Sequence, residues 1–336
     1  MAKRRSKKNT AVEFPYSQKW EDARKPMQLS HLEVGEDPEG YVPDAGLIDA
    51  VDIAMLLNQP LLLTGEAGTG KTRFAYYLAW KLGWSEPLKF ETKSTSTSDE
   101  IFYTYDTLGR FHEAQIGGEK TKAANYINYQ ALGRAILHAI SPKKIDDALL
   151  PEDFKHPGQQ RSIVLIDEVD KAPRDFPNDI LNEIEQMYFR IPFLSHEKIV
   201  AERAMKPVII FTSNNEKPLP DPFLRRCVYY DVPFPDQERL EEIIHMRIPE
   251  FNEKETFVSQ ALEFFDLVRN AGLHKKPATA ELLGWLTTLR GFGLHEKGSL
   301  REQGEVLAKT LSTLTKTQDD APIAQNVLQR WVRVSS

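Results

Sequence analysis

Apolar positions along the chain follow two regimes. From about Asp44 to Pro235, short apolar runs alternate with segments of helical period; beyond Pro235 only the helical period persists. Leu47, Ile48, Val51, Ile53, Ala54 and Leu57 predict a helix of about three turns. Pro60–Leu63 is strand-sized and apolar, as a strand covered on both faces must be. Lys71–Leu82 returns to helical spacing, with Phe74, Tyr77, Leu78 and Leu82 on one side. Ser162–Ile166 and Pro207–Phe211 repeat the short apolar run, and Phe176, Ile180, Ile184 and Met187 predict a helix between them. This alternation predicts an α/β fold, a parallel sheet flanked by helices, with ligands at the carboxyl ends of the strands.

Behind Pro235 the pattern predicts a small all-α domain. Leu240, Ile243 and Ile244 fit one helix; Phe257, Ala261, Phe264, Phe265 and Val268 fit a second. Leu282, Leu283, Leu286 and Leu289 fit a third, and Val306, Leu307, Leu311 and Leu314 a fourth. The expected organisation is a flexible basic segment and linker over 1–40, an α/β domain over 41–235, a helical domain over 236–316 and a C-terminal segment over 317–336. Residues 117–125 and 141–160 are polar and carry Pro or Gly, which predicts surface insertions. No internal repeat is visible.

Composition narrows the class without naming a function. The chain has 336 residues, 41% hydrophobic and 27% charged, as globular proteins do. No apolar run approaches the ~20 residues of a membrane-spanning helix, so no membrane association is expected. The basic tip, Lys3, Arg4, Arg5, Lys7 and Lys8, is not followed by an apolar segment and does not read as a secretory signal. A single cysteine, Cys227, fits a reducing compartment, and the expected location is cytoplasmic. A net charge of −6 gives no indication of a nucleic-acid partner.

The chemistry begins directly after the first strand. Gly65, Glu66, Ala67, Gly68, Thr69, Gly70, Lys71 and Thr72 fit G-x-x-x-x-G-K-[ST], with a strand before and a helix after. Glycines let the backbone wrap a triphosphate, and the helix N-terminus attracts it. Lys71 is expected to reach the β- and γ-phosphates of ATP, and the Thr72 hydroxyl to ligate Mg²⁺. The second strand ends in Asp167 and Glu168: the first suits the Mg²⁺ shell, the second a base that polarises water. Asp170 and Lys171 read as solvated turn residues.

The third strand ends at Asn214, where an amide can help orient the attacking water. Arg225 and Arg226 follow a short loop later. Paired arginines are usually surface residues, but a guanidinium lent to a neighbouring subunit's γ-phosphate would stabilise transition-state charge. His112, His138, His156 and His196 are scattered and suggest no metal cluster, and Cys227 reads as packing rather than nucleophile.

With these elements in order, the chain resembles an AAA+ ATPase, and more narrowly the MoxR group, over about residues 41–316. Tyr41–Val51, Thr95–Tyr103, Arg110–Gln115 and Leu219–Arg226 support the resemblance. It implies a helix-2 insertion near 94–115, Arg226 as the better arginine finger with Arg225 second, and a helical lid over 236–316. It also implies homo-oligomeric, hexameric rings that remodel or activate client proteins, often with a partner bearing a von Willebrand A domain. The sequence departs from the pattern at Ala280, where related lids often carry a sensor-2 arginine; Lys275 and Lys276 are nearby basic alternatives. A nucleic-acid-linked AAA+ ATPase and a nucleotide-gated scaffold with little turnover remain alternatives.

Overall fold

A computed structural model describes residues 38–116, 122–192, 194–296 and 298–333. The basic tip and residues 117–121 lie outside the described residues. The described residues divide into two compact units, 43–234 and a second formed by residues from 235 onward together with 38–42.

The first unit is built on a sheet whose central strands have no polar face. Helix α1 (Ala45–Leu57) leads into β1 (Leu61–Thr64), followed by α2 (Lys71–Leu82) and β2 (Leu88–Glu91). Next come β3 (Tyr103–Tyr105), α3 (Thr107–Ile116), β4 (Ile127–Tyr129) and α4 (Ala131–His138). The chain continues through β5 (Ile163–Asp167), α5 (Phe176–Asp179), α6 (Leu181–Gln186), β6 (Tyr188–Ile191) and β7 (Ser195–Val200). Strand β8 (Val208–Thr212), α7 (Asp221–Leu224) and β9 (Val228–Asp231) complete the unit.

Five strands pair in parallel in the order β2-β5-β8-β1-β9. Every residue of β1, β5 and β8 is buried, because helices cover both faces of a parallel sheet. Phe74 and Leu78 from α2 and Leu132, Ile136 and Leu137 from α4 supply buried apolar cover; a fully buried side chain of this size is worth about 1.5–3 kcal/mol. Helix α4 passes so close to the preceding segment that a Cβ on Gly133 would lie 2.0 Å from the Phe102 carbonyl oxygen.

Three local features differ from the sequence expectation: the buried face of α1, the helix through Met187 and the β6–β7 pair. On α1 the buried face is Leu47, Ala50, Val51 and Ala54, whereas Ile53 and Leu57 are exposed. The helix expected through Met187 is two short helices, and Met187 itself takes the left-handed conformation that ends α6. The antiparallel pair β6–β7 follows, unpredicted because Met187 continued the helical rhythm. The region near 94–115 forms part of an antiparallel pair, β3–β4, with α3 between the strands.

The second unit is helical: α8 (Gln237–Arg247), α9 (Glu255–Arg269), α10 (Thr279–Gly291), α11 (Gly304–Thr310) and α12 (Asp320–Arg333). Phe264 packs against both Trp285 and Trp331, at ring-centroid distances of 5.4 and 5.0 Å. Residues 320–333, expected as a separate C-terminal segment, are therefore a helix of this core. Asp320 ties it further, its buried carboxylate accepting from the His274 and Lys275 amides. Ala280 lies in the first turn of α10.

Candidate active site

Strand β1 delivers the chain to a loop that only glycine can close. Gly65 has φ +130°, and a Cβ there would sit 2.5 Å from the Val232 carbonyl oxygen. Gly68 and Gly70 also have positive φ, so the backbone doubles back before α2 starts at Lys71. Thr69 Oγ1 donates to the Glu66 carbonyl at 3.0 Å. Lys71 is buried, and its ammonium donates to the Gly65 and Glu66 carbonyls, both at 2.8 Å. Burial lowers its pKa; Asp170, Asp167, Asp231 and Glu168 oppose the shift. A cation bridged only to neutral carbonyls, in a loop of inward-turned backbone, is suited to receive a polyphosphate.

Three elements converge on Asp167 at the end of β5. Thr72 Oγ1 from α2 donates to Asp167 Oδ1 at 2.8 Å, and Thr212 Oγ1 from β8 donates to the same oxygen at 2.6 Å. Lys89 Nζ from β2 lies 3.1 Å from Asp167 Oδ2 and 2.7 Å from Glu91 Oε1. Burial acts to lower the Lys89 pKa, but hydrogen bonds to Glu91 and Asp167 outweigh it and the pKa is raised. The hydroxyl of Thr72 and the carboxylate of Asp167 form an oxygen-only donor pair with one negative charge. That is the protein share a Mg²⁺ ion takes when phosphate oxygens and water complete its octahedron, so the residues fit the metal.

Glu168 turns away from this node. Its backbone is left-handed (φ 57°, ψ 51°), and its amide donates to Thr212 Oγ1 at 2.8 Å. The carboxylate then lies between two donors, Asn214 Nδ2 at 3.2 Å from Oε1 and Lys171 Nζ at 2.5 Å from Oε2. Strands β5 and β8 are neighbours, so their ends bring Asp167, Glu168, Thr212 and Asn214 together.

Asp170 and Lys171 are not the solvated pair expected from sequence. Asp170 is buried, and its Oδ2 accepts from the backbone amides of Asn214 at 3.2 Å and Glu216 at 2.9 Å. It thereby fixes the loop that carries Asn214. Lys171 is half-exposed but ion-paired to Glu168. Thr212 was likewise unassigned, although a hydroxyl two residues before Asn214 on a buried strand was a usable signal.

Arg225 and Arg226 stand apart. Both are exposed and follow α7 just before β9. Strand β9 starts at Val228, opposite Leu61 at the beginning of β1, whereas the glycine loop follows the end of β1. A four-residue strand spans on the order of 13 Å, so the arginines belong to the other end of the sheet. Arg226 contacts the Pro222 carbonyl at 3.2 Å and Glu185 at 3.8 Å.

Of the remaining candidates, Cys227 has its thiol pushed up to about 12 by burial, as a packing residue would. His138 and His156 are less scattered than the sequence implied, with rings 5.8 Å apart. Burial, then Arg134 and His156, lower the His138 pKa to about 4. Among the described residues no group of three or more His, Cys, Asp or Glu side chains is placed to hold a metal. Nor, among them, is any helix long and apolar enough to cross a membrane.

A family model described as the AAA domain, dynein-related subfamily, matches residues 60–227, half of the chain. The chain belongs to the AAA family. The match runs from the start of β1 to the residue before β9 and so contains the glycine loop, the acidic pair, Asn214 and both arginines. Protein CbbQ from Allochromatium vinosum is 42% identical over 43 residues, 13% of this AAA chain and 58% of CbbQ. The chain thus spans less than two thirds of that curated relative. The resemblance to the MoxR-like AAA+ group stands with these two findings. A RuvB mutant from Thermotoga maritima aligns over 89% of this chain and 72% of its own, at 13% identity and a TM-score of 0.41. The AAA family is one of nucleotide-hydrolysing ATPases.

Proposed function

We propose that the chain is an ATP-hydrolysing AAA+ motor of MoxR type that acts as an oligomeric ring, a hexamer by resemblance, on client proteins. The observation that carries this reading is the junction at the carboxyl ends of β1, β5 and β8. A loop suited to phosphate, a Thr72–Asp167 pair suited to Mg²⁺ and a Glu168–Asn214 pair suited to water meet there. Gly65–Gly70 and the amides at the start of α2 would cradle the phosphates, and Lys71 would exchange its two carbonyl partners for phosphate oxygens. Bound Mg²⁺, held by Thr72 and Asp167, would supply charge neutralisation at the phosphates. Glu168 would accept a proton from the attacking water, with Asn214 holding both in place. Asp170 would keep the Asn214 loop in register.

The exposed arginines at the opposite end of the sheet favour a ring. Arg226, with Arg225 second, would serve a neighbour's nucleotide rather than its own, a reading supported by its distance from the chain's own glycine loop. Heterologous, head-to-tail contacts that close by rotation produce such an arrangement. The α3 region between β3 and β4 is the candidate client-facing element: Leu108 is 82% exposed and Phe111 62%. A client or a partner with a von Willebrand A domain would engage it.

Lys71→Ala tests the nucleotide reading directly. It removes the ammonium, and charge-assisted contacts to phosphate are the stronger class of hydrogen bond, each worth about 1.5–3 kcal/mol. Affinity for a fluorescent ATP analogue should fall by at least about tenfold. Unchanged affinity would overturn the assignment of the loop.

A further inference from the structure

Asp167 has two carboxylate oxygens, and they are treated differently. Oδ1 accepts from the hydroxyls of Thr72 and Thr212, both neutral donors that a metal ligand keeps as neighbours. Oδ2 instead faces a full positive charge, the Lys89 ammonium at 3.1 Å. Lys89 comes from β2, the strand at the sheet edge beside β5. The register pairs Lys89 with Leu165 and Glu91 with Asp167, which puts Lys89, Glu91 and Asp167 on one face of the sheet. The ammonium is therefore shared between Asp167 Oδ2 and Glu91 Oε1, the latter at 2.7 Å. Asp167 is mostly buried, whereas Glu91 is exposed and its side chain 70% accessible.

This inference rests on the reading of Asp167 as a ligand of the Mg²⁺ that accompanies ATP. We propose that Lys89 is a positioning residue that competes with the divalent cation for Asp167, and that Glu91 is the acceptor onto which its ammonium withdraws. Two cations cannot share one carboxylate without cost, because like charges a few ångströms apart repel strongly in a partly buried site. Glu91 lowers that cost, since the ammonium can leave Asp167 and still keep an acidic partner. The pair thereby sets how much Mg²⁺ the site requires, separately from how well the glycine loop holds phosphate.

The two side chains should act in opposite directions. Equilibrium binding of a fluorescent ATP analogue, titrated with MgCl₂ from an EDTA-treated start, reads the Mg²⁺ half-saturation point without any turnover. Lys89→Met should lower that point by about tenfold, and Glu91→Gln should raise it by about threefold. Lys89→Arg, which keeps the charge, should stay within about twofold of wild type. An unchanged or raised half-saturation point in Lys89→Met overturns the proposal. So does a shift confined to thermal stability, the signature of a merely structural ion pair. Should Lys89→Met fail to fold, Glu91→Gln decides alone: no rise in its half-saturation point overturns the competition. Wild-type binding with no Mg²⁺ dependence would overturn the metal assignment of Asp167 itself. That differs from a dependence the variants leave untouched, which overturns only the role of Lys89.

Discussion

Replacing Glu168 by glutamine is expected to leave ATP binding intact and to slow hydrolysis by roughly 10²–10⁴-fold, the usual contribution of a positioned general base. The substitution is nearly isosteric, and the left-handed backbone at this position is no harder for glutamine to adopt. Asn214 Nδ2 can still donate to the remaining side-chain oxygen, so the loop geometry should hold. What is lost is the negative charge that accepts a proton, together with the ion pair to Lys171. Steady-state phosphate release and analogue binding, measured on the same preparation, separate the two effects. Because ATP then persists at the site, the variant should also populate the assembled ring more fully than wild type, readable by light scattering. Turnover close to wild type would remove Glu168 from the catalytic role.

Arg226→Ala is expected to produce a comparable loss by a different route. A guanidinium aimed at the transferring phosphoryl group is worth roughly 10³–10⁵ in rate where its role has been isolated. Within its own subunit Arg226 makes one carbonyl hydrogen bond and one long contact to Glu185, both at the surface. Losing such contacts costs within about 0.5 kcal/mol of stability, so fold and thermal midpoint should barely move. ATP affinity should fall only modestly, because Lys71 and the loop amides belong to the binding subunit. Arg225→Ala should be the milder of the two. Full activity of Arg226→Ala would transfer the role to Arg225 or dismiss it from both.

The parts of the candidate site that are contiguous along the chain are legible in the sequence. The segment from Gly65 to Thr72 declares itself because its chemistry is local: three glycines with positive φ run directly into the lysine that opens α2. Asp167 and Glu168 were readable for the same reason, as carboxylates closing an apolar run. Partnerships that depend on strand register were not. Thr212 meets Asp167 only because β8 lies beside β5, and Lys89 meets it only because β2 lies on the other side. Strand β2 itself left little trace, since an edge strand reading Leu-Lys-Phe-Glu is half polar and carries no uniform apolar run. Asp170 looked solvated because a carboxylate in a turn usually is; two backbone amides from another loop make its burial tolerable. Helix faces were legible in period but not always in phase: Ile53 and Leu57 kept the spacing of α1, yet the sheet took the neighbouring stripe.

The family is one of nucleotide-hydrolysing ATPases, and the central proposal beyond it is that each site is completed by a neighbouring copy. Mixing Arg226→Ala subunits with Glu168→Gln subunits tests that claim most directly. Each variant alone should be nearly inactive. In a mixed ring, an Arg226→Ala subunit keeps its own Glu168 and can receive Arg226 from a Glu168→Gln neighbour, so some sites become whole. Random assembly at equal proportions should make about one site in four complete, given head-to-tail contacts around a closed ring. The predicted result is hydrolysis that rises on mixing, peaks near equal proportions and reaches on the order of a quarter of the wild-type rate. A mixture no more active than its components at any ratio would contradict a site shared between subunits.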